Sequence, residues 1–143
     1  MGENFMTAKI ARPRCTGLYG VYEGREFHVA LQGEKAILRS FLGEPEAHGF
    51  SSSKIASVQG ICSVARIDLE SLSFVRALCK WRGEPFVIVG VEGGLLSTFY
   101  IGERGEWMSS QPGIMRTGKL ECYGRFDLVD VDEIIEFVDP LPL

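Results

Sequence analysis

The chain has 143 residues, 45% of them hydrophobic and 24% charged, with a net charge of −4 and a pI near 5.2. It is long enough to bury a core as a single domain. It has neither the apolar run that a membrane-crossing helix requires nor the basic footprint of a nucleic-acid binder, its Lys and Arg residues being scattered singly.

The first sixteen residues are polar at the start and carry Arg12-Pro13-Arg14, so a frayed tail is expected there. They show no basic-then-apolar leader, and Met1-Gly2 is not followed by the Ser or Thr that myristoylation needs, so the expected compartment is the cytoplasm. Gly17–Tyr22 reads as the first strand. In Arg25–Gln32, Phe27, Val29 and Leu31 alternate with Glu26, His28 and Ala30, the period of a half-buried strand. Gly33-Glu34 supplies a turn and Lys35–Leu42 the returning strand. Glu44–Ser53, with Pro45, Gly49 and three serines, reads as a loop, and Ser53–Gln59 as a short helical turn. Ile61–Ile67 is a strand, and Asp68-Leu69-Glu70-Ser71 a turn or helical turn in which Asp68 can cap.

Leu72–Trp81 leads as a strand into a second hairpin. Its first arm, Phe86–Val91, is apolar on both faces and belongs in the middle of a sheet. Pro85 cannot donate to a ladder and so stands at a strand start or an edge. Glu92-Gly93-Gly94 is a turn, and Leu95–Ile101 runs back. Glu103–Gly113 is a glycine-rich, charged loop with Trp107-Met108 in its middle. Lys119–Leu128 is a strand. Asp130–Asp139 has a spacing that fits a short helix as well as a strand, and Pro140 and Pro142 end the fold.

The two hairpins are copies. Tyr22-Glu23-Gly24-Arg25-Glu26-Phe27 and Trp81-Arg82-Gly83-Glu84-Pro85-Phe86 both read aromatic-x-Gly-x-x-Phe, 59 positions apart. The same offset pairs Ile37 with Leu96, Phe41 with Tyr100, and Arg66-Ile67-Asp68-Leu69 with Arg125-Phe126-Asp127-Leu128. From Tyr22 to Leu69 it gives nine identities, against roughly three by chance, and they fall on turn glycines and strand aromatics. A repeat of this length is a supersecondary unit used more than once. The expected fold is therefore mainly β (α+β with minor helix), built from duplicated antiparallel β-hairpin units with pseudo-two-fold symmetry, sandwich- or barrel-like. Residues 1–16 form its tail, 17–75 the first repeat and 76–143 the second.

No reaction is specified. Gly-x-Ser-x-Gly, His-Glu-x-x-His and a Walker loop are all missing from the sequence. Ser51-x-x-Lys54 matches an acylating motif but lacks its partner motifs, and a hydrolase built on His48 with a hydroxyl of Ser51–Ser53 ranks last. His28 should face the more polar side of its strand. Cys15, Cys62, Cys79 and Cys122 form no C-x-x-C pair, and two histidines cannot complete a metal site, so no metal or other cofactor is expected. Cys62 and Cys79 read as buried thiols. Arg66 with Asp68, like Arg125 with Asp127, sits at i and i+2 and is read as an ion pair closing a turn.

Trp81-Arg82-Gly83-Glu84-Pro85-Phe86, then Glu92-Gly93-Gly94, then Arg125-Phe126-Asp127-Leu128, resembles a group of small bacterial immunity proteins that accompany secreted polymorphic toxins. The resemblance spans most of the chain after residue 17 and rests on scaffold residues, so it carries over no binding residue. It implies a non-enzymatic inhibitor that plugs the active site of a cognate toxin domain, a nuclease or an NAD-consuming enzyme. The candidate contact residues are read from the sequence itself: Trp107, Met108 and Tyr123 as anchors, with core packing the stronger reading for Tyr123, and Asp130, Asp132, Glu133 and Glu136 as an acidic rim for a basic cleft. The alternative is a small-molecule-binding β module with its ligand between the halves.

Overall fold

The computed structural model describes residues 4–6, 13–41, 44, 49–53, 58–118 and 121–143. In chain order the strands are β1 (Asn4–Met6), β2 (Gly17–Tyr22), β3 (Arg25–Gln32), β4 (Lys35–Phe41), β5 (Ser51–Ser52), β6 (Val58–Ala65) and β7 (Ser71–Trp81). They continue with β8 (Glu84–Glu92), β9 (Leu95–Tyr100), the helix α1 (Gly105–Ser109), β10 (Ile114–Arg116), β11 (Cys122–Asp127) and β12 (Glu133–Leu141). Single 3₁₀ turns occupy Arg66–Asp68 and Leu128–Asp130. The fold is mainly β, with antiparallel pairing and a minor helix, as the alternation and turn signals require. No described helix is long and apolar enough to cross a membrane.

The chain packs as two compact units. Among the described residues, the first comprises residues 17–74 and 139–143, the second residues 4–6, 13–16 and 75–138. Strand β7 starts in the first and ends in the second.

In the first unit the strand order is β2-β3-β4-β6-β5, with β7 on the other side of β2. Phe27 and Val29 of β3 and Ala36 and Leu38 of β4 point inward, where they meet Leu69 and Leu72. In the second unit the order is β7-β8-β9-β11-β10, and β12 lies beside both β7 and β1. Its core is aromatic. Trp81 stacks on Phe126 (centroids 4.8 Å apart, planes at 14°) and Phe86 stands edge-on to Phe126 at 5.0 Å. Ile88, Leu96, Met108 and Ile134, all fully buried, complete it. Strand β8 runs between β7 and β9, the central place that its apolar sequence predicts.

The units repeat one another down to single hydrogen bonds. Each opens its hairpin with a two-residue turn in which both residues have positive φ: Glu23 and Gly24 at 50° and 79°, Arg82 and Gly83 at 53° and 77°. Glycine takes this conformation without a Cβ clash, and the turn's twist matches the strands it joins. The turn amide of Gly24 donates to the Glu70 carboxylate at 2.9 Å, and that of Gly83 to Asp132 at 3.2 Å. The Arg66 N–H donates to the Glu34 carbonyl, and the Leu128 N–H to the Gly94 carbonyl, both at 2.7 Å.

These bonds also correct the ungapped sequence alignment. A bulge at Ile88/Gly90 adds Val89 to β8, so equivalence moves on by one: buried Ala36, Leu38 and Ser40 match buried Leu96, Thr98 and Tyr100. Ile37 and Phe41, paired by sequence with Leu96 and Tyr100, are only half-buried. By the strand registers Val64 matches Phe126, and Arg66–Asp68 matches Leu128–Asp130. The two Arg-x-Asp-Leu stretches are therefore not counterparts: one is a 3₁₀ turn, the other lies in β11. Neither forms the expected ion pair. Arg66 donates instead to the Pro142 carbonyl at 3.4 Å, and its turn has no side-chain cap, so Asp68 does not cap.

Other expectations are corrected by packing. The N-terminal tail contributes β1, whose residues Asn4, Phe5 and Met6 pair with Val138, Phe137 and Glu136. Residues 130–139 resolve into strand, from Glu133 onward. The loop after Tyr100 contains α1, a single turn too short to hold by propensity but anchored by Met108 in the core. The predicted helical turn over Ser53–Gln59 lies mostly outside the described residues, as do His48 and Lys54; Gln59 belongs to β6, and Ser51 and Ser52 form β5.

Candidate partner-binding face

Along β8 and β9 the inward positions are Phe86, Ile88, Leu96, Thr98 and Tyr100, all buried. Alternation therefore sends Val87, Phe99 and their neighbours to the opposite face. Strand register lines them up as one row across five strands: Leu78, Val87, Phe99, Tyr123 and Met115. Phe99 and Tyr123 meet edge to face at 5.3 Å. Phe99 is 36% exposed and Met115 62%, with the bulge residue Val89 at 43% and Ile101, one step along from Phe99, at 52%. A run of apolar side chains left in water on one sheet face is the usual mark of an interaction surface.

Past the end of β9, Ile101 lines a groove of about 420 Å³ together with Glu84, Pro85, Gly102, Glu103 and Arg104. The Tyr100 hydroxyl donates to Glu84 Oε1 at 2.5 Å and accepts the Arg104 N–H at 2.9 Å. Burial, followed by the bond to Glu84, raises the Tyr100 pKa and keeps it a donor at neutral pH. The Arg104 guanidinium lies over the Trp107 ring at 4.1 Å, while its Nη1 is 3.9 Å from Glu84 Oε2. Such a stack on an exposed indole contributes about 0.5–1 kcal/mol and fixes the fork in place.

The sequence-predicted contact residues fare unequally. Trp107 is at the surface, 37% exposed, and carries Arg104. Met108 is fully buried in the second unit's core, because the one-turn helix aims it inward; it cannot serve as a surface anchor. Glu136 is buried as well. Arg14 clamps it, donating from Nη2 and Nε to Oε1 at 2.6 and 3.1 Å and from its backbone N–H to Oε2 at 3.1 Å. Asp132 is exposed but committed to the Gly83 amide, and Asp130 is exposed on the 3₁₀ turn. Glu133 is half-buried. The acids thus do not form a continuous rim: two of the four hold the scaffold together.

Elsewhere, among the described residues, no group of three His, Cys, Asp or Glu is placed to hold a metal. All four cysteines are free thiols; Cys79 is buried, which pushes its pKa up to about 12, and Cys62 is half-buried. His28 departs from expectation. Its ring sits edge to face with Tyr19 at 5.3 Å and 5.4 Å from Phe41, in an aromatic slot rather than on a polar face. Its Nδ1 is buried without a hydrogen-bond partner among the described residues.

The sequence reading passed over Val87, Phe99, Ile101, Arg104 and Met115. The signal lies in β8, apolar on both sides, a pattern that by sequence alone predicts burial on both. Compared with known proteins, the chain matches no family model, no curated protein and no solved structure.

Proposed function

We propose that the protein acts by binding, as an immunity-type inhibitor that lays the outward face of its second unit against a toxin domain and blocks that domain's active site. One observation carries the reading: the repeat breaks its symmetry at this face. The row Leu78, Val87, Phe99, Tyr123 corresponds by register in the first unit to Tyr19, His28, Arg39, Ile61. There the apolar centre is replaced by a histidine and an arginine. Scaffold is what two copies share, so the property that one copy alone carries is where function is to be sought. Aromatic and methionine side chains on one sheet face, with Trp107 and an arginine beside them, have the composition of an interface core and its rim. The toxin as partner comes from the resemblance of the hairpin and turn residues to immunity proteins.

The test is co-expression with the toxic domain encoded beside this chain. The wild type should protect cells and co-purify with the domain; Phe99→Asp and Met115→Asp should do neither while keeping the wild-type melting temperature within a few degrees. Full protection by both variants would overturn the assignment to this face, and failure of the wild type to bind would overturn the inhibitor reading.

A further inference from the structure

Taking the outward face as a partner surface, we infer that the segment it receives is acidic: a peptide stretch whose Asp or Glu side chain sits on Arg104 while flanking apolar residues cover Ile101, Pro85 and Phe99. The reasons lie in how the groove is built. Arg104 is held by stacking on Trp107, yet its side chain is 57% exposed and no carboxylate among the described residues hydrogen-bonds it. Glu84 approaches only to 3.9 Å, and its other oxygen is engaged by the Tyr100 hydroxyl. A guanidinium has five N–H donors in a rigid fork, and most of this one's are unspent. A carboxylate taken in two-point contact is the ligand that such a fork fits.

Gly102 lets the Tyr100 hydroxyl come in close, since a Cβ there would overlap it. A second arginine adjoins: Arg82 lies over Trp81 at 4.6 Å and donates to Gln111 Oε1 at 3.0 Å, and Gln111 Nε2 donates to the Trp107 carbonyl at 3.2 Å. Of the two acids in the groove, Glu84 accepts the Tyr100 hydroxyl proton in a hydrogen bond, and Glu103 stands exposed at its border. Pro85 and Ile101 form an apolar floor that continues into the row through Phe99. A basic segment is the competing occupant and would seek Glu103.

Nuclear magnetic resonance titration of the full chain decides between them. Three blocked pentapeptides are used, Leu-Leu-X-Leu-Leu in solubilising flanks, with Glu, Gln or Lys at X. The Glu peptide should shift the Arg104 side-chain N–H, the Trp107 indole N–H and the Ile101 methyls together. It should bind about tenfold more tightly than the Gln peptide, and Arg104→Gln should remove that difference while Arg104→Lys restores part of it. Equal affinity of the three peptides, with Ile101 and Phe99 shifted and Arg104 unmoved, would overturn the acidic-segment inference and leave the partner face standing. Preference for the Lys peptide would overturn it too. If no peptide shifts any residue of the row or groove, the acidic-segment inference falls, and the partner face is decided by the co-expression test alone.

Discussion

The carboxylate of Asp132 caps the Gly83 amide at 3.2 Å across a gap of 49 residues, and the carboxylate of Glu70 caps the Gly24 amide at 2.9 Å in the other unit. Both acids follow a 3₁₀ turn and a buried apolar residue, Val131 in one case and Leu69 in the other. Each also hydrogen-bonds through its own backbone N–H to the strand that precedes the capped turn, Asp132 to Lys80 and Glu70 to Val21. The pair of contacts pins a tight hairpin to the strand that closes its unit.

Removing such a cap should cost a modest, matching amount in each half. Asp132→Ala and Glu70→Ala are each expected to lower stability by about 1 kcal/mol, less than the roughly 1.5–3 kcal/mol of a bond to a charged group because both sites are exposed. Asp132→Asn should keep most of it. Urea denaturation of the three variants checks this, and a loss above about 3 kcal/mol for either alanine would mean that the carboxylate does more than cap.

Breaking the Arg14–Glu136 pair should be far more damaging. Glu136 is 4% exposed, so Arg14→Ala strands a buried carboxylate, with an expected loss of about 3–5 kcal/mol. The double variant Arg14→Met with Glu136→Leu should recover much of that by removing the charge along with its partner. Denaturant midpoints of the single and double variants give the comparison.

Within α1 two adjacent residues should respond oppositely. Met108→Ala empties a fully buried site and is expected to cost about 2–5 kcal/mol. Trp107→Ala, half in water, should cost under about 1 kcal/mol and impair partner binding instead. Calorimetric melting together with a binding assay separates the two.

Acid should weaken the first unit through His28. Burial, and secondarily the charge of Arg39, lowers its pKa from the ordinary 6.5. Its slot is made by Tyr19 on β2, Phe41 and Arg39 on β4, and the backbone at Gly17. The unfolded chain binds a proton near pH 6.5 while the native ring resists it, so the contribution is complete above that pH and declines as pH falls toward the lower native value. The urea midpoint should therefore drop between pH 7.5 and 5.5, and His28→Phe should reduce the drop. An unchanged slope in that variant would move the acid sensitivity to other groups.

The sequence declared the strands well and their equivalence imperfectly. Phe27 and Val29 against Phe86 and Ile88 were visible because alternation and turn glycines are local signals. The bulge was not. Val89 looks like any other residue of an apolar strand, and only the pairing of Gly90 with Ser97 shows that it is extra. From there an ungapped comparison read Arg125 as the partner of Arg66, when the register gives it Ser63. The candidate site was obscured for a related reason. An apolar residue carries no mark of whether its face will be covered, so Phe99 and Met115 could not be told from core, and Met108 could not be told from surface. Burial of Met108 depends on where α1 turns, which is set by tertiary packing.

Strand β12 begins in one unit and finishes in the other: its last residues, with Leu141 against the cluster around Phe27 and the Pro142 carbonyl on Arg66, belong to the unit that the early part of the chain builds. Trimming the final five residues would thus injure the amino-terminal half of the molecule and spare the half next to the cut. The amino-terminal half expressed alone would lack a piece of its own interior.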